Sequence, residues 1–180
     1  MNGLLKYFKD TELKLIKDTP DLLLKSKALV HILFSDKIDK AGKPYIEHLY
    51  RVSDKMTTLD GKVAGLLHDV VEDIDGVSFD DLIDIGIPLN IIEVLKLVTK
   101  EENIQILNKY EKLDKYNKEI DNIIISGNKL ALELKIADMS DNFDPSRLQE
   151  LSIEQQYWFN KKYGENLKKL RKVRDSYDRY

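Results

Sequence analysis

The chain has 180 residues, 42% of them hydrophobic, which is enough for one domain with a proper core. Its 29 basic and 32 acidic residues leave a formal charge of −3, so a stable nucleic-acid partner is not expected. There is no cysteine, which excludes disulfides and thiolate metal sites and leaves histidine and carboxylate to hold any metal.

Met1 to Lys6 carries no leader pattern and no apolar run reaches membrane-spanning length, so a cytoplasmic protein without a membrane partner is expected. Glycine and proline are scarce and apolar residues recur at intervals of three and four, which makes the fold class all-α. The first segment, Leu4 to Lys17, offers Leu5, Phe8, Leu13 and Ile16 as one face. Thr19-Pro20-Asp21 opens a second helix with proline in its first turn, and His31 lies near its end. That histidine reads as a core or supporting residue bonded to backbone.

A lysine-rich loop, Asp36 to Pro44, leads into a third helix that carries His48 and turns Leu49, Val52 and Met56 inward. After a short turn at Thr58 to Gly61 the next helix can pack back against it, which would bring His48 toward Leu66-Leu67-His68-Asp69-Val70-Val71-Glu72-Asp73. This stretch sets an imidazole and three carboxylates directly after buried apolar residues. Such charge calls for a counter-charge, and a divalent cation suits neutral imidazole and carboxylate. On a continuous helix His68 and Asp69 would be about 100° apart and Glu72 and Asp73 one turn further along the same face. The bland alternative is a solvated helix end before a turn at Asp75-Gly76.

Ser78 is positioned to cap a short helix, Gly86-Ile87-Pro88 breaks to another reaching Val98, and Glu101 to Asn122 reads as a mostly exposed helix. Ser126 to Asn142 is strongly apolar, yet it contains Asp138 and, four residues on, Asn142. A carboxylate there needs a partner, either Lys135, expected on the exposed face, or a metal shared with His48, His68 and Asp69. A last helix is expected from Ser146 onward, and Lys161 to Tyr180 holds eight basic and three acidic residues, a local excess that could attract anions. Tyr157, Trp158 and Phe159 in that helix either cover the core or form a homodimer surface.

In this order, His31, Gly42-Lys43-Pro44-Tyr45-Ile46-Glu47-His48, Leu67-His68-Asp69-Val70-Val71-Glu72-Asp73, Val98-Thr99-Lys100 and Leu134-Lys135-Ile136-Ala137-Asp138-Met139-Ser140-Asp141-Asn142 resemble the HD-domain metal-dependent phosphohydrolases. Within that family the resemblance is to the ppGpp hydrolase domain of Rel/SpoT-type enzymes and their small stand-alone relatives. It implies a single HD-domain helical bundle over 1–180, with the motifs at about 20–145 and a C-terminal helical extension over 146–180. It implies further that His48, His68, Asp69 and Asp138 hold one divalent metal, manganese by preference with iron or zinc as alternatives. Glu72 and Asp73 become the acid/base pair, Asn142 a substrate contact, and His31 a family histidine that is not a ligand. Lys37, Lys40, Lys43 and Tyr45 are the expected contacts of the Asp36–Tyr45 loop to a small phosphorylated nucleotide, with Arg51, Lys100 and Lys129 as further phosphate candidates.

The sequence departs from the family in places. The loop has lysines where an Arg-Lys pair is usual, and a lysine meets phosphate as a point charge but stacks poorly on a base. Leu49 stands for the usual proline and Ile74 for the usual threonine. Three alternatives follow: an HD hydrolase of another nucleotide or phosphoester, a non-catalytic nucleotide- or metal-binding module, and a helical scaffold without metal.

Overall fold

The computed structural model describes residues 3–39, 42–100, 108–149 and 151–177. The chain is all-α: among the described residues it contains helices and one isolated antiparallel bridge, Ile38 to Pro44. It divides into two compact units, Met1–Thr99 and Lys100–Tyr180. Among the described residues no helix is long and apolar enough to cross a membrane.

In the first unit a 3-10 turn, Gly3–Lys6, is followed by α1 (Asp10–Asp18), so the expected single N-terminal helix is broken at Tyr7 to Lys9. The second helix, α2 (Leu22–Leu33), starts at an Asp21 cap whose carboxylate accepts from the Leu24 amide, and Pro20 precedes the cap instead of lying in the first turn. The buried stripe of α2 is Lys25, Ser26, Leu29, Val30 and Leu33. Its spacing turns His31 outward, so the expected core histidine is exposed.

The core is formed where α4 (Leu59–Leu67) packs against α2, α3 (Ile46–Asp54) and α7 (Leu89–Val98), with α6 (Phe79–Asp84) against α7. Leu29, Val30, Phe34, Leu49, Val52, Val63, Ala64 and Leu66 are fully enclosed there, each worth about 1.5–3 kcal/mol for the larger side chains. The turn between α3 and α4 is Lys55 to Thr58, with Thr58 capping Gly61, and not Thr58 to Gly61 as expected. Two helix ends share one unexpected cation: buried Lys25 donates to the Lys17 carbonyl at 3.0 Å and the Ile85 carbonyl at 2.7 Å. Both carbonyls lie where helices α1 and α6 finish, a favourable place for an ammonium, although burial pushes the Lys25 pKa down.

The predicted continuous helix through Leu66 to Asp73 does not form. The last α4 turn ends at Leu67, His68 caps it, Asp69 adopts φ −102° and ψ 1°, and a separate turn, α5 (Val70–Asp73), follows. The Asp69 conformation lies in the bridge region, outside the helical well, which redirects the chain directly after His68. Ser78 caps α6 as expected and shares a capping box with Asp81.

In the second unit the long helix is α8 (Lys109–Ser126), with an Asn108 cap and a left-handed Gly127 at its end; the part of the expected exposed helix at 101–107 lies outside the described residues. Next comes α9 (Lys129–Asn142), buried on nearly every side from Ala131 to Met139. The expected last helix is divided into α10 (Pro145–Leu148), α11 (Ile153–Phe159), a π-helix (Asn160–Gly164) and α12 (Glu165–Tyr177). A Ser152 cap restarts the chain at α11 with its own capping box. Helix α12 packs on α8 and α9, and Gly164 is enclosed where an added Cβ would lie 2.5 Å from Asn160 Oδ1.

Candidate metal centre

The first unit brings three of the expected ligands together. His48 on α3, His68 at the end of α4 and Asp69 beside it offer ligand atoms that all lie within 4.8 Å of one another. Both imidazoles are buried and the carboxylate nearly so. Small side-chain rotations would let one ion bond all three, since nitrogen and oxygen ligands sit at about 2.0–2.2 Å.

Close packing of α3 on α4 produces this convergence. A Cβ at Gly65 would lie 2.7 Å from Ser53 Cα, so only glycine permits the approach. Gly65 also presents its carbonyl to His68 Nδ1 at 2.8 Å. A carbonyl only accepts, so Nδ1 carries a proton and Nε2 is the nitrogen that faces the cluster. Asp69 Oδ2 lies 3.0 Å from His68 Nε2 and 3.7 Å from His48 Nε2. Acceptor atoms this close are stable together only around a cation, either an added proton or a metal ion. An N/O donor set without sulfur fits a divalent first-row ion.

Tyr45 supplies a contact the sequence did not reveal. Its hydroxyl donates to Asp69 Oδ2 at 2.6 Å, its ring stacks on Phe34 at 5.5 Å and meets His48 edge-on. Tyr45 precedes His48 by three residues, the spacing of one helix face, and that was the available signal. Lys37 likewise turns inward: its ammonium donates to the Asp73 carbonyl and lies 5.6 Å from the centre of the Phe34 ring.

The α5 turn holds Glu72 and Asp73 half-buried beside the cluster. Burial raises the Asp73 carboxyl above its ordinary range, the charges of Asp69 and Glu72 act in the same direction, and Lys37 and a Tyr45 hydrogen bond oppose them. A carboxyl tuned upward holds and releases a proton closer to neutral pH.

In the second unit Asp138 and Asn142 sit one turn apart on α9, as their spacing predicts, and Asn142 Nδ2 donates to Asp138 Oδ1 at 2.6 Å. Lys135 is buried, not exposed as expected, and its ammonium pairs with Asp138 Oδ2 at 3.1 Å while lying 5.7 Å from the Tyr116 ring centre. Lys135 is drawn inward because α9 is enclosed all round, and Asp138 and the Tyr116 face offer its charge a place there. Of the other expected contacts, Lys43 is exposed in the loop, Lys40 lies outside the described residues, Arg51 pairs with Glu47 at 3.6 Å, and Lys129 lies over the Tyr177 ring at 5.2 Å. Lys100 is half-exposed.

The helical architecture is shared with solved structures. One of them is that of a metazoan ortholog of SpoT that hydrolyzes ppGpp and plays a role in starvation responses. The likeness covers 86% of this chain and 94% of that one with a TM-score of 0.64 at 22% identity, a level that establishes shared fold and leaves the substrate to the site. No family model and no curated protein sequence matches the chain.

Proposed function

We propose that this chain is a metal-dependent phosphohydrolase whose substrate is ppGpp, cleaved by water to GDP and pyrophosphate. The observation that carries this reading is the buried His48, His68 and Asp69 cluster beside the upward-tuned Asp73 in a fold shared with a ppGpp hydrolase. His48, His68 and Asp69 hold the ion, and the Lys-x-Ala-Asp motif assigns Asp138 as a further ligand. Manganese is the preferred ion, with iron and zinc as alternatives. When bound, such an ion acidifies water and polarises phosphoryl oxygen.

The rest of the chemistry falls to the chain. Asp73, with Glu72 next to it, takes a proton from the attacking water as its oxygen bonds the phosphorus attached to the ribose 3′-oxygen. The bond from that phosphorus to the 3′-oxygen breaks, the same carboxyl returns the proton to the 3′-oxygen, and pyrophosphate leaves. Lys40, Lys43 and Asn142 are proposed substrate contacts, the lysines through phosphate charge.

A second reading keeps the chemistry and changes the substrate to another phosphorylated nucleotide or phosphoester. It is favoured by the Asp36 to Lys40 stretch, which has no arginine, and by Lys37 being engaged with the Asp73 carbonyl. Purified protein stripped by a chelator, reloaded with manganese and given ppGpp is expected to release GDP and pyrophosphate, and Asp73→Asn is expected to stop release while the metal stays bound. Intact ppGpp alongside turnover of other phosphorylated nucleotides would support the second reading. No turnover of any of them would make the chain a binding module.

A further inference from the structure

We propose that the loop from Phe34 to Tyr45 is a bracket that positions the reactive groups: Tyr45 orients the Asp69 carboxylate toward the metal and Lys37 fixes the turn that presents Glu72 and Asp73. This rests on the metal reading above. It gives Tyr45 and Lys37 roles in holding the site, distinct from the substrate contacts expected of them.

The loop is closed on itself before it reaches the site. Besides the Ile38 to Pro44 bridge, the Asp39 amide donates to the Lys43 carbonyl at 2.7 Å, and the Tyr45 amide donates to the Lys37 carbonyl at 2.9 Å. Lys37 and Tyr45 therefore face each other across the mouth of the loop, one residue on each strand-like arm. Between them lies Phe34, fully enclosed, with the Tyr45 ring stacked on it at an interplanar angle of 13° and the Lys37 ammonium near its ring. A rigid aromatic base with two anchored side chains limits the rotamers open to both.

Each arm ends on a different part of the site. The phenol reaches the Asp69 oxygen that also faces both imidazoles, so its hydrogen bond selects the carboxylate rotamer that points into the cluster. Groups that hold a metal-binding side chain in this way change affinity about 10- to 100-fold when removed. The ammonium reaches the last carbonyl of α5, a turn of four residues too short to satisfy its own terminal carbonyls. A cation at a helix C-terminus is favourable, and here it tethers the backbone of Asp73 itself.

Tyr45→Phe keeps the ring on Phe34 and removes only the hydroxyl, and Lys37→Met keeps most of the stem and removes only the charge. Manganese titration of metal-free protein is expected to show Tyr45→Phe binding about 10-fold or more weaker than wild type, with Lys37→Met unchanged. Amide hydrogen exchange at Val70 to Gly76 is expected to quicken several-fold in Lys37→Met and to be restored in Lys37→Arg. Equal manganese affinity in Tyr45→Phe and wild type would overturn the Tyr45 role while the metal reading stood. Unchanged exchange in Lys37→Met, with weakened binding of pyrophosphate as probe, would overturn the Lys37 role and make that lysine a phosphate contact. A wild type that binds no manganese would overturn both the metal reading and the bracket.

Discussion

Each unit of this protein buries a carboxylate inside a helical core, and the two are satisfied in different ways. Around Asp69 the structure sets a phenol and two imidazoles; around Asp138 it sets an ammonium and a carboxamide. The second arrangement brings a full positive charge from Lys135, so in the metal-free protein Asp138 is neutralised by the chain itself. Imidazole and phenol bring dipoles and lone pairs, and the first arrangement therefore keeps an appetite for a cation. A buried acid is thus informative about function only once its counter-charge is known.

Variants separate the two arrangements. The largest effect is expected for His68→Ala, which removes one of the two imidazoles: manganese binding and hydrolysis should both be lost while circular dichroism stays helical. Asp73→Asn should lower kcat by about 10²- to 10⁴-fold with manganese affinity retained, if Asp73 is the proton acceptor proposed above and not a ligand. A parallel loss of manganese affinity would show that Asp73 is a ligand.

In the second unit, Lys135→Met removes the cation beside Asp138 and should cost about 3–5 kcal/mol in denaturant unfolding of metal-free protein. The double variant Lys135→Met/Asp138→Asn should recover most of that loss. Failure to recover it would show that the lysine stem, not the pair, is what matters. Gly65→Ala should cost about 1–3 kcal/mol by forcing α3 from α4, and it should weaken manganese binding as well because His48 and His68 ride on those helices. Full stability loss with unchanged manganese affinity would separate the packing from the site.

The smallest expected effect is a pH dependence. The folded protein raises the Asp73 carboxyl above its ordinary 3.8, mainly through burial, so the ionised form opposes folding. Metal-free Asp73→Asn should therefore melt above wild type at neutral pH. The gap should narrow as pH falls through the raised value and close below about 3.8, where both states of wild type are protonated. A gap that widened toward acid would reverse the sign and remove the case for a tuned base.

Much of this was legible in the residues, because hydrophobic spacing reports helices and the His48, His68 and Asp69 set is chemically distinctive. Asp21, Ser78 and Ser152 show their capping chemistry in their types and followers, although the Ser152 restart was hidden inside what reads as one long helix. The break at Asp69 left no such mark, since Leu-His-Asp-Val contains neither glycine nor proline and the turn is set by tertiary packing. Lys25 and Lys135 were illegible for another reason. Their burial depends on distant partners, the Ile85 carbonyl for one and the Tyr116 ring for the other, which a local pattern does not contain. Tyr45 was visible as a loop residue near His48, yet its contact with Asp69 crosses 24 positions.

If His48, His68 and Asp69 form the metal centre proposed above, that cluster binds one divalent ion. Calorimetric titration of the chelator-stripped protein with manganese tests this most directly, with His68→Ala and Asp69→Ala as folded controls. One ion per chain is expected in wild type and none in either variant, with thermal stability rising by about 2.7 kcal/mol when free manganese reaches 100 times its Kd. Binding that persists in both variants, or a wild type that takes up no manganese, iron or zinc, would contradict it.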